Sequence, residues 1–346
     1  MNLEELYHQV REAVAALDFE SIWPGFTPLR FALYDAERCY FDGQYIEKTD
    51  AFCANTSIEY QGEQIAIWMV QEELEIPVLT SKIVHEMFHG FQRLRGWDCW
   101  PNEMEALSRY GYQPENLWRK LRENELLLKL LEGPDESALA ALLASRKCRS
   151  EKFPFEFSYE SQVEEIEGTA NYVEWQVLKQ LDGEKARALT ERMGGQITRP
   201  EALLPIRISC YFTGALMINA LAEAGRYFFT SPERPAIRAL LRQTLPAEAE
   251  ALCRDARFRA VSEAVAAFHR ETDEIVRSAL ERNDVAAEGS LELLGVNVYN
   301  ARCHNGYITS TYFVMFREGG ADRFLQGNFV LRMQDEKTVA AIYRWA

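Results

Sequence analysis

Leu3, Leu6, Val10, Val14 and Leu17 recur at helical spacing, so the chain opens on an amphipathic helix. Trp23-Pro24-Gly25 and Pro28 end it. From Leu29 to Val70 the rhythm changes to short alternating runs. Phe31–Tyr34, Ser57–Tyr60 and Gln64–Val70 read as strands, with Gln61-Gly62-Glu63 turning the last two into a hairpin. From Thr80 to Arg282 the spacing is helical almost throughout. Thr80 or Ser81 is placed to cap a helix running to Arg95, with Gly96 to end it. Further helices are predicted over 114–132, 135–149, 160–182, 200–224, 233–244 and 258–282, punctuated by Gly133-Pro134, Asp182-Gly183 and Gly194-Gly195. Residues 289–334 revert to strand-like runs at Leu291–Tyr299, Ile308–Phe316 and Phe329–Met333. His304-Asn305-Gly306 carries an Asn-Gly hairpin signal.

This pattern predicts an α+β, mostly helical chain in three units. They are an N-terminal helix and β-sheet subdomain (1–79), a large helical subdomain (80–283) and a small C-terminal β unit (284–346).

Composition narrows the class. The 346 residues are 47% apolar and 26% charged, as in ordinary globular chains, which excludes a collagen, a disulfide-stapled mini-protein and a wholly disordered chain. Lys plus Arg is 38 and Asp plus Glu is 53, a net charge of −15. With no cluster of four basic residues, nucleic acid is not an expected partner. The most apolar stretch, Ile208–Ala222, is too short to span a bilayer and contains Ser209, Thr213 and Asn219, so no membrane association is expected. Met1-Asn2-Leu3-Glu4-Glu5 lacks the basic and apolar regions of a secretory signal. The seven cysteines form no CxxC, and free thiols in a reducing cytoplasm are the simplest reading.

The segment that carries chemistry is Val84-His85-Glu86-Met87-Phe88-His89-Gly90-Phe91, a His-Glu-x-x-His motif. On a helix, histidines four apart sit one turn apart on one face, where their nitrogens can converge on one Zn²⁺. Glu86 then projects toward the metal's open side as general base for a water acidified by the metal. Ile83, Val84, Met87, Phe88 and Phe91 are placed to bury the rest of this helix. A catalytic zinc takes a third protein ligand. The metzincin pattern would need Gly and His where the chain has Gln92 and Arg95, which excludes that class. Carboxylates on a second helix remain, the best segment being Glu164-Glu165-Ile166-Glu167-Gly168-Thr169-Ala170-Asn171-Tyr172. Small residues after the glutamate would let this helix approach the first closely. Glu160, Glu164, Glu167, Asn171 and Glu174 fall near one helical face.

These two motifs resemble those of the gluzincin group of zinc metallopeptidases, the thermolysin-like enzymes, and the order of a β-rich part before a helical part is similar. The resemblance implies a zincin-like fold with the N-terminal sheet packed on the active-site helix. It implies Glu167, in Glu-Gly-Thr-Ala, as third ligand; Glu164 and His304 are the alternatives. Residues 90–166 separate His89 from Glu167, far more than in thermolysin itself, and the helical insertion at 97–155 is expected to shape the cleft. Asn171 occupies the slot that in these enzymes orients a histidine ligand. Arg207-Ile208-Ser209-Cys210-Tyr211-Phe212-Thr213-Gly214 is similar to their Tyr-x-x-Gly segment, which makes Tyr211 the candidate oxyanion donor, with His304 as the alternative. Arg207, one turn earlier, is placed to support Tyr211 or to bind a substrate carboxylate. The strand before the motif helix, Ile65–Met69, is expected to form one wall of the cleft and pair with an extended peptide. Glu164 and Glu174 otherwise read as a solvated face, and His8 and His269 as structural or surface residues.

The expectation is therefore a cytoplasmic zinc metallopeptidase acting on peptides or proteins. His85, His89 and Glu167 bind zinc, Glu86 and Tyr211 are catalytic, and Asn171 and Arg207 support them. The acidic surface favours basic or neutral peptides. The alternatives are a catalytically silent zinc-binding regulatory or interaction protein, and a helical scaffold carrying the motif by accident.

Overall fold

The computed structural model describes residues 2–224 and 255–345. Helix α1 (Leu3–Ala15) starts at Asn2, whose side chain accepts from the Glu4 and Glu5 amides, and buries Leu3, Tyr7, Val10 and Val14. After the single turn of α2 (Phe19–Ile22) come β1 (Phe31–Tyr34), β2 (Cys39–Phe41), β3 (Gln44–Ile46), β4 (Thr56–Tyr60) and β5 (Glu63–Met69). They form one sheet in the order β3-β2-β1-β5-β4, with β1 and β5 parallel and the other neighbours antiparallel. Asp42-Gly43 and Gln61-Gly62 have positive φ at both positions, as two-residue hairpins require. The first hairpin escapes the sequence reading because β2 and β3 are only three residues each.

One expectation fails here. Strand β5 lies between β1 and β4, so its backbone is paired on both sides and cannot add an extended peptide. The edges of this sheet are β3 and β4.

Helix α3 (Ile76–Leu94) carries the His-Glu-x-x-His motif. It begins a turn before Thr80 and Ser81, because Pro77 fits the first turn, where an N–H has no intrahelical partner. Thr80 and Ser81 are consequently buried inside the helix and do not cap it. The boundary expected after residue 79 falls within α3. Gly96, at φ +70°, stops the helix as predicted. Helix α3 packs on β5 and, along its other side, on α8 (Thr169–Leu181).

Between them run α4 (Glu103–Arg109), α5 (Pro114–Leu131), α6 (Glu136–Lys152) and α7 (Pro154–Val163); α9 (Gly183–Ile197), α10 (Ile206–Glu223) and α11 (Ala256–Arg282) follow. The helix predicted over 160–182 is not continuous: a π turn at Glu164–Gly168 joins α7 to α8. The one predicted over 200–224 is split into a 3₁₀ turn at Pro200–Leu203 and α10, with Pro205 between them. Asp182 does not merely break the chain; its side chain caps α9, a helix the sequence reading omits. The helix predicted over 233–244 lies outside the described residues. One apolar core runs through α1, the first sheet, α3, α6, α8, α9 and α10, so the first two units share a single interior.

The C-terminal unit holds more strands than the sequence pattern predicts. Strands β6 (Val285–Val296), β7 (Arg302–His304), β8 (Tyr307–Ser310), β9 (Phe313–Glu318), β10 (Ala321–Gln326), β11 (Asn328–Met333) and β12 (Thr338–Trp345) form a seven-stranded antiparallel sheet ordered β10-β9-β6-β12-β11-β8-β7. The strand predicted over Ile308–Phe316 breaks at Tyr312, which has φ +69°. Val276 and Ala279 of α11 pack on Val330, Ala341 and Tyr343 on one face. Met104 and Leu107 of α4 pack against the core of the other. No helix among the described residues is long and apolar enough to cross a membrane. No disulfide joins two of the six described cysteines, and Cys253 lies outside the described residues.

Candidate metal centre

His85 and His89 project from one face of α3, and their Nε2 atoms lie 3.1 Å apart. Glu167 Oε2 lies 3.7 Å from His85 Nε2 and 3.3 Å from His89 Nε2. Ligand bonds of about 2.0–2.1 Å at tetrahedral angles put donor atoms roughly 3.3 Å apart, so this triangle has the size a Zn²⁺ ion needs. Two imidazoles and a carboxylate are also the donor types that zinc accepts. All three side chains are nearly buried, with 9–13% of each exposed. Burial pulls the His85 pKa down, but the nearby carboxylates of Glu167 and Glu174 outweigh it and leave it raised to about 10. Burial pushes Glu167 the other way, but His89, His85 and Arg207 hold its carboxyl well below the usual range. Charge thus already collects at this point.

Each donor is held from behind. His89 Nδ1 lies 2.7 Å from Gln92 Oε1, and the Gln92 amide donates to Ile166 O and Thr169 Oγ1, both at 2.9 Å. One fully buried side chain therefore ties a histidine to the turn that carries Glu167. Glu174 Oε2 lies 3.4 Å from His85 Nδ1, and Lys82 Nζ lies 3.4 Å from the other Glu174 oxygen. Glu174, expected on a solvated face, is buried beside the histidine. Arg207 donates to Glu167 Oε1 at 2.8 Å and also pairs with Glu103, which accepts from the Tyr159 hydroxyl. Arg207 is thereby committed to two protein carboxylates and is not free to bind one from a substrate. The Asn171 amide donates to Glu167 O one turn back, so orienting the histidines falls to Gln92 and Glu174.

The π turn explains why the acidic residues of this segment part company. In a continuous α-helix Glu160, Glu164, Glu167, Asn171 and Glu174 share a face. The wider turn shifts the register, so Glu160 and Glu164 point into the protein while Asn171 and Glu174 line the cleft. Glu164 is no metal ligand: Arg146 lies 2.5 Å from it, Lys120 3.0 Å, and Thr213 donates to it at 2.7 Å. Glu160 pairs with Arg149 at 2.6 Å and Lys120 at 3.2 Å, and Arg149 pairs with Glu123 at 3.0 Å. These three acids and three bases are fully buried. The small residue after Glu167 does allow a close approach, but to a different helix. A Cβ on Gly168 would stand 2.5 Å from Gly214 Cα, so the π turn and α10 touch backbone to backbone.

Glu86 stands beside the donors in a cleft of about 200 Å³. Burial raises its pKa above the ordinary carboxylate value, and His85 and His89 oppose the rise. Among the described residues no group donates a hydrogen bond to it, so its oxygens are available to take a proton. Tyr211 faces the same cleft. Burial first, and the charge of Glu167 second, push its hydroxyl well above the usual pKa, which keeps it protonated as a donor. Trp68 of β5 lines the cleft; nothing from 97–155 does, although that insertion was expected to shape it. It supplies Glu103 and part of the buried ion network. Tyr299, from the loop after β6, also lines the cleft, its ring meeting Tyr211 edge-on at 6.3 Å. His304 is remote from the donors, stacked on His269 at 4.1 Å and 3.6 Å from Asp273. No family model, curated protein or solved structure matches the chain.

Proposed function

We propose that this chain is a zinc-dependent hydrolase of peptide bonds, of zincin-like architecture, with His85, His89 and Glu167 holding the metal and Glu86 as general base. The observation that carries the reading is the donor triangle of 3.1, 3.3 and 3.7 Å opening beside Glu86 into a cleft. Bound zinc supplies a Lewis acid that acidifies water and polarises a carbonyl. Three protein donors leave a coordination position open, whereas structural zinc sites are closed by four. Glu86 takes a proton from the attacking water at its carboxylate and passes it to the leaving amine; its raised pKa brings it nearer neutral pH for both transfers. Tyr211 donates its hydroxyl proton in a hydrogen bond to the oxygen that gains charge. Arg207 fixes Glu167 through the oxygen that does not face the histidines. A silent zinc protein has no use for an unengaged Glu86 or for a cleft beside the donors.

Elemental analysis tests the site, and peptide cleavage tests the reaction. Wild type is expected to hold one zinc per chain and Glu167→Ala to lose it. Glu86→Gln is expected to keep zinc and lose about 10²–10⁴-fold in turnover. Zinc-free wild type after metal-replete purification would overturn the reading.

A further inference from the structure

Apart from Arg192, the cations near the candidate donors are engaged by protein acceptors. Arg207 joins Glu167 to Glu103, and Lys82 joins Glu174. Arg93, on the motif helix, donates to Ser57 O. Arg192 differs. It lines the cleft together with His85 and Glu86, is exposed, and pairs with no carboxylate among the described residues. Its helix offers it none: the positions three and four residues away are Ala188, Leu189, Gly195 and Gln196. Leu189, one turn earlier on the same face, also lines the cleft, and Ile208 and Phe212 add further apolar surface. A guanidinium stays charged at any working pH and its planar fork suits a carboxylate.

We infer that Arg192 binds a carboxylate on the substrate, supplied by the chain terminus or by an acidic side chain near the scissile bond, so the enzyme selects peptides that carry one there. The inference rests on the peptide-hydrolase reading and adds a substrate class to it. The net charge of −15 points toward basic peptides, but it is spread over the whole surface and screened beyond about 8–10 Å, whereas Arg192 is in the cleft. Arg192 lines the same cleft as His85 and Glu86, so the carboxylate it binds lies close to the cleaved bond.

The test uses three dansylated peptides of one neutral sequence. One has a free C-terminal carboxylate, one a C-terminal amide, and one the amide with a glutamate next to the end. Fluorescence anisotropy measures their binding to the zinc-loaded Glu86→Gln protein, and wild type is assayed for cleavage of the same three. A carboxylate peptide is expected to bind about tenfold more tightly than the neutral amide, by an amount that shrinks as salt screens the pair. Arg192→Gln is expected to remove the preference and Arg192→Lys to keep part of it. Which of the two carboxylate peptides gains tells terminus from side chain. Equal binding of all three, no binding, or a preference that survives Arg192→Gln overturns the inference. Cleavage without carboxylate preference keeps the hydrolase and discards the role of Arg192. Arg192-dependent binding without cleavage keeps the carboxylate site and discards the hydrolase.

Discussion

Gln92 shows how much of a site can rest on a neutral side chain. Its oxygen faces the nitrogen of His89 that is turned away from the donor triangle, and its nitrogen grips the backbone beside Glu167. Replacing it with alanine should weaken zinc binding by about 10–100-fold, measured by competition with a chromophoric chelator. Gln92→Glu, which keeps the acceptor and loses the donor, should fall between wild type and alanine. The signal for Gln92 is in the chain, because a residue three after a histidine on a helix lies within reach of its ring. Glu174 is two turns beyond Glu167, where a carboxylate is as common on a wet surface as against a metal ligand. His85, Glu86, His89 and Glu167 are legible because their chemistry is tied to a spacing. Glu174, a support of His85, is not, because it is brought to the histidine by packing and not by a spacing.

Helix α11 is legible from periodicity, since Val261, Val265, Phe268, Thr272, Val276 and Ala279 keep one buried face along its length, whereas β1, buried at every position, is legible as a short apolar run. The π turn is not, because its residues carry no mark that separates them from an α-helix. Its packing makes a sharp prediction. A methyl on Gly214 would stand 2.6 Å from Glu164 O and 2.7 Å from Gly168 Cα, and backbone cannot step aside as a flexible side chain can. Gly168→Ala and Gly214→Ala should each cost about 1–3 kcal/mol or more in urea unfolding, and lower zinc occupancy by displacing Glu167. Gly195→Ala, in α9 with nothing within 4 Å of the added methyl, should instead stabilise by about 0.5–1 kcal/mol. If all three variants unfold alike, the close contact between the π turn and α10 is not what constrains them.

Across the whole molecule, the buried ions set the response to acid. Burial pushes the Glu160 and Glu164 carboxyls up, but the charges of Arg149, Lys120 and Arg146 outweigh it and hold both below their usual pKa. A carboxylate depressed in the folded state stabilises fully above its unfolded pKa, about 4.3, and that contribution fades as pH falls through the folded value. Thermal unfolding followed from neutral pH down to pH 3 should therefore show little change at first and a steepening loss below about pH 4. Glu164→Gln leaves Arg146 and Lys120 short of a counter-charge and should cost about 3–5 kcal/mol even at neutral pH, lessening the acid response. None of this network is legible in the sequence, because its six members come from α5, α6, α7 and the π turn, and only the fold brings them together. Tyr299 shares that character and has a consequence in time. All three candidate donors have been synthesised by residue 167, but Tyr299, which lines the cleft, comes far later. Once α10, on which Glu167 rests, has been made, a chain growing at about 5–20 residues per second would need on the order of ten seconds more to reach Tyr299. The part of the cleft wall that Tyr299 supplies is added only when the loop after β6 docks.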